Sequence, residues 1–267
     1  MSDRKVALVI HGMTAVGTAI CRRLHDDGVY VAASWSARQR TPEAWLAAQR
    51  DDGYSFTACG VDVADAGACA HVVERLLATH GRLDILVNGA GAQADTGAAA
   101  STLGALARDS WRQAVRRHLD GIFNMNKLAI AAMLEQRWGR IIQLAAAPVW
   151  PVPGRHQDVG HAAANAALHG MTKALALEVA RHGVTVNTIA PGYLLHQEGG
   201  IGVGEPGPAA QARRDADALA AAVLPHIPAG RLGAPADVAG LVAYLASDQA
   251  AFVTGAQIAV NGGQHMA

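Results

Sequence analysis

The chain has 267 residues, 51% of them hydrophobic, with 29 glycines, enough for a full single-domain core and too apolar for a disordered segment. Its 22 basic and 22 acidic side chains cancel, so no basic field draws nucleic acid or anionic lipid. No run approaches the about 18 apolar residues of a membrane span, and Met-Ser-Asp-Arg-Lys leads into only a short apolar run, which predicts neither a membrane segment nor a signal peptide.

KVALVI (5–10) predicts a strand, and LVIHGMTAVGTAI (8–20) carries glycines straight from it into a helix. A helix amino terminus offers unpaired N–H groups and a positive dipole end, suited to a pyrophosphate. Gly12 supplies a tight turn and Gly17 allows close helix–strand packing. The Gly-x4-Gly spacing also occurs in loops for nucleoside triphosphates, but Thr18 and Ala19 stand where Lys and Ser or Thr are required, which excludes that motif. VYVAA (29–33) predicts the second strand. Folds that use NAD place a carboxylate after it; here the chain continues ASWSARQR, with Ser34, Arg38 and Arg40 and no carboxylate. That favours a 2′-phosphate, hence NADP; a solvated arginine pair is the bland alternative.

YSFTAC (54–59) and LDILV (83–87) predict strands, followed by the Gly/Ala-rich GAQADTGAAASTLGALA (91–107). Trp111, Val115, Leu119, Ile122, Leu128 and Met133 mark one apolar face of a long helix. RIIQL (140–144) and VTVNTI (184–189) predict strands on either side of the helix GHAAANAALHGMTKALALEVA (160–180), and QIAV (257–260) is the last strand. GGIGVGEPGPAAQ (199–211) has the Gly/Pro density of a lid or of a surface insert. Strands alternating with helices predict an α/β fold: a single-domain, Rossmann-like, doubly wound parallel sheet of about seven strands, with ligands at the carboxyl ends of the strands. Cys21, Cys59 and Cys69 are odd in number without CxxC spacing, which predicts buried thiols in a reducing cytoplasm.

Five stretches, VNGAG (87–91), WGRII (138–142), GVTVNTIAPGY (183–193), RLGAPADVA (231–239) and VTGAQIAVNGG (253–263), occur in the order found in short-chain dehydrogenases/reductases. The chain resembles that family from residue 4 to its last residue. This predicts one domain over 1–267, with loop insertions near 91–107 and 199–211. GTAICRRL (17–24), ALHGMTKALALEVA (167–180) and the ending NGGQHMA make it most similar to NADPH-dependent acetoacetyl-CoA reductases, with 3-ketoacyl-carrier-protein reductases next.

The resemblance implies a cofactor, NADP(H), held at Gly12, Thr14, Gly17, Ser34, Arg38, Arg40, Asp62 and Val63 on the adenine edge, Asn88, Gly89, Ala90, Pro191 and Gly192. It also implies a Ser–Tyr–Lys–Asn tetrad. Tyr protonates the carbonyl oxygen, Ser hydrogen-bonds it, Lys one turn after Tyr lowers the phenol pKa and holds the ribose, and Asn anchors a relay water. In this chain His161 stands at the Tyr position, Asn165 at the Lys, Ala146 at the Ser and His118 at the Asn. The glycine loop resembles TGxxxGxG with one residue missing, His11 for the Thr and Ala15 for the middle Gly, and His196 replaces a Thr after PGY.

Ala146 has no donor, and one missing oxyanion donor costs about 3 kcal/mol of transition-state stabilisation. Asn165 has no charge to depress a neighbour's pKa. The chain has three lysines, Lys5, Lys127 and Lys173; Lys173 lies about 12 Å along the helix axis from Asn165, too far to substitute. His161 titrates in a usable range, but its ring is shorter than a phenol. These losses predict a reductase-like chain without ketoreductase chemistry, acting as a binding or oligomer-partner protein and binding NADPH weakly or not at all. The resemblance implies a homo-oligomer, a tetramer, with an active paralogue as a second possible partner. Three alternatives stand beside this reading: a decaying duplicate with no selected role, an NADPH-dependent 3-ketoacyl-CoA reductase working with these residues, and an acid–base enzyme built on His118, His161 and His196. Those three imidazoles also raise a zinc site as a minor branch.

Overall fold

Seven short apolar runs pair into one sheet because strands buried on both faces need no polar alternation. The structure, a computed structural model, describes residues 4–35, 42–89, 103–145, 159–195, 218 and 220–265; the side chains at 113, 114, 117, 118 and 161 are not among those described. The strands are β1 (Val6–Val9), β2 (Tyr30–Trp35), β3 (Thr57–Gly60), β4 (Ile85–Asn88), β5 (Gly139–Leu144), β6 (Val184–Pro191) and β7 (Gln257–Val260). They lie in the order β3-β2-β1-β4-β5-β6-β7, all parallel. The strand order reverses between β1 and β4, so the ligand crevice of this Rossmann-like α/β fold opens at their carboxyl ends.

Helices α1 (Ala15–Asp26), α2 (Pro42–Asp51), α3 (Ala66–His80), α4 (Arg108–Gln136), α5 (Val159–Val179) and α6 (Pro235–Ala246) make the crossovers. One core holds Val16, Ile20 and Leu24 of α1 and Val238, Val242 and Leu245 of α6 against Val9, Val87 and Ile189. The opposite core holds Val72 and Leu76 of α3, Met125 and Met133 of α4 and Val179 of α5 against Leu8, Leu86 and Val186. Alternate residues of each strand thus feed the two faces, as a doubly wound sheet requires. Local chemistry sets the ends: Asp65 caps α3 by accepting from Gly67 and Ala68 N–H, and Gly81 ends it with φ 71°. All three cysteines are free and buried; burial pushes Cys59 and Cys69 up to about 11 and Cys21 higher still, so they are thiols at neutral pH.

The third strand starts later than the run YSFTAC predicts. Tyr54 N–H closes the end of α2 on the Gln49 carbonyl, and Phe56 stacks on Trp45 and on Tyr54. The aromatic residues that resemble strand formers therefore serve a helix-to-sheet corner. Beneath the sheet, at the amino-terminal strand ends, buried Arg140 donates to the carbonyls of Ser247, Gly139 and Gly183. Its guanidinium lies over one side of Trp138, whose Nε1 donates to Asp248, and Lys5 completes the cluster over the same indole and on Asp248.

Candidate functional site

At the β1–β4 crevice the chain leaves β1 through a turn at His11, which takes φ 55°, a left-handed backbone costing a non-glycine residue roughly 1–2 kcal/mol. The turn is braced from below. His11 N–H donates to Ser34 Oγ at 2.9 Å, and Thr14 donates from both N–H and Oγ1 to the His11 carbonyl. Thr14 then caps α1 by accepting from Gly17 N–H. A Cβ at Gly17 would run into the His11 carbonyl, one at Gly12 into Ala33, and one at Gly89 into the Ile10 carbonyl. These three glycines let β1, α1 and the end of β4 meet. His11, Thr14, Gly17, Gly89 and Leu144 line the small cavity that remains. Burial holds the His11 imidazole below its ordinary pKa.

The Asp62–Val63 edge is equally built. Asp62 is exposed and its Oδ1 accepts from Ala64 N–H. Asn124 of α4 donates to the Val63 carbonyl, and Gly121 leaves room for the Val63 side chain. At the carboxyl end of β6, Gly192 N–H donates to the Val260 carbonyl, and a Cβ there would meet Asn261. Pro191 and Gly192 thus end β6 packed closely on the chain leaving β7.

Between these edges lies a carboxamide cluster of which sequence reading assigns a part, at the cofactor, only to Asn88. Buried Asn88 donates from Nδ2 to Asn126 Oδ1 (2.8 Å) and Gln143 Oε1 (2.9 Å), and Gln143 Nε2 donates to Asn126 Oδ1 (3.0 Å). Asn126 reaches on to Met171 Sδ of α5. One network therefore joins β4, β5, α4 and α5 under the crevice. Its only signal in the sequence is a polar residue inside each of two apolar patterns, Gln143 in RIIQL and Asn126 beside Met125 and Ala129.

His161 and Asn165 lie one turn apart in the first half of α5, and Asn165 is buried at 7% exposure. His118 lies in α4, which packs along α5. Ala146, His196, Arg38, Arg40 and Ala90 fall outside the described residues. Ser34, assigned from sequence to a 2′-phosphate, is fully buried with its hydroxyl under the loop. Among the described residues no group of three His, Cys, Asp or Glu is placed to hold a metal ion. The cofactor that the family resemblance implies here is NADP(H). The loop glycines, the first turn of α1 and the Asp62–Val63 edge fit an adenosine pyrophosphate, whereas buried Asn165 brings no cation to the nicotinamide end.

A family model described as enoyl-(acyl carrier protein) reductase matches residues 12–265. The acetoacetyl-CoA reductase of Cupriavidus necator is 34% identical, covering 98% of this chain and 99% of its own. Nodulation protein G of Azospirillum brasilense is 37% identical over 98% of each chain. A 3-oxoacyl-acyl-carrier-protein reductase of Escherichia coli is 34% identical over 99% of this chain and 98% of its own. The parallel sheet with its switch at β1 and β4, the glycine turn into α1 and matches that run end to end have one common explanation: the chain belongs to the short-chain dehydrogenase/reductase family.

Proposed function

We propose that this protein keeps a reductase fold of the acetoacetyl-CoA reductase type without ketoreduction and acts as a binding or oligomer-partner protein. The observation that carries the reading is the position of the cations. Asn165 puts a neutral amide in the buried place on α5 where the family carries Lys, and every lysine of the chain is elsewhere. Lys5 is held by Asp248 and Trp138 at the far end of the sheet, Lys127 is exposed on α4, and Lys173 is exposed two turns further along α5.

A bound nicotinamide would supply the hydride. The protein must then steady the charge growing on a carbonyl oxygen, which asks for a donor at the Ser position and a proton source at the Tyr position. Ala146 offers no hydrogen bond, and a shorter acid at His161 leaves a gap; about 1 Å of misplacement costs on the order of 100-fold. The same lack of an ammonium weakens the hold on the nicotinamide ribose, so NADPH binding is weak or absent at neutral pH, carried by the adenosine half. The chain acts as one domain over its 267 residues, with insertions near 91–107 and 199–211. Three free buried thiols support a cytoplasmic protein; among the described residues no helix is long and apolar enough to cross a membrane. The oligomer we propose is a homotetramer, or a mixed one with an active paralogue, seated on the outer faces of α4 and α5.

Turnover of acetoacetyl-CoA with NADPH tests the proposal, measured beside a variant carrying Ala146→Ser, His161→Tyr, Asn165→Lys and His118→Asn. Loss of an oxyanion donor and of a matched proton donor together predicts kcat/KM about 10⁴-fold below that of a competent reductase. The restored variant recovers part of that loss. Wild-type turnover of about 1 s⁻¹ or faster, the ordinary range for enzymes, overturns the reading.

A further inference from the structure

We draw no further inference here: the strongest candidate, the groove at the amino-terminal ends of β1 and β2 bordered by Arg4, Tyr30 and His80, sets a guanidinium that favours an anion against the carboxyl end of α3 that favours a cation, and so identifies no class of ligand.

Discussion

Gln143 is the side chain on which the site's internal order turns. It accepts from Asn88 and donates to Asn126, so the three buried amides bond one another. Replacing Gln143 by Leu leaves one Asn88 N–H without an acceptor, at a cost of about 1–3 kcal/mol for a buried unsatisfied donor. The midpoint of urea unfolding should drop accordingly with an unchanged slope; an unshifted midpoint would show that the cluster contributes no net stability. Ser34 teaches the complementary lesson about legibility. Its position after a predicted strand suggested a phosphate ligand, yet the strand runs two residues further than VYVAA and carries the hydroxyl under the loop. Residue type was readable from sequence; side-chain direction was not, because it depends on where a strand stops.

At the scale of elements, the sheet was readable because each parallel strand is a dense apolar run, and each of the seven runs overlaps one strand. The start of β3 was not, since Tyr54 and Phe56 fit a strand by propensity but are drawn to Trp45 and His25 by packing across a corner. The family resemblance put His118, His161 and Asn165 on predicted helices, which are α4 and α5, whereas the Asn88–Asn126–Gln143 network needs contacts between elements far apart in the chain. The outer side of α5 is a row of small residues, Ala163, Ala167, Gly170 and Ala174, ending at Leu177, which is 84% exposed. Phe123 on α4 is 55% exposed. Small residues let a second helix approach closely, and both large apolar side chains would leave water in a helix-on-helix dimer. Light scattering at micromolar concentration should therefore give an oligomer for the wild type. A Leu177→Glu, Ala167→Glu double variant should shift it toward monomer, and a wild-type monomer would refute the oligomer.

Over the whole molecule, stability should respond to acid in two windows. His11 and His169 are both held below the ordinary imidazole value by burial, and among the described residues His169 Nδ1 has no hydrogen-bond partner. The unfolded chain therefore binds more protons than the folded one below about pH 6.5. The stability these neutral rings contribute is complete above that value and is lost as pH falls through their folded pKa values. Asp248 is held low by the Trp138 and Lys5 donors, and Asp237 by Arg231 and the Ala234 N–H. Their share is present above the ordinary carboxylate pKa and disappears only as pH falls through their lower folded values. The urea midpoint should thus be level from pH 8 to 7, decline below about 6.5 and decline further below about 4; a level profile down to pH 5 would contradict the histidine contribution.

The strand order has a consequence for synthesis. After β4 docks beside β1, each later strand adds at one growing margin, β5 on β4, β6 on β5 and β7 on β6. A chain emerging from the ribosome can extend its sheet in the order of translation, with the β1–β4 pairing as the one junction that must wait for a distant segment.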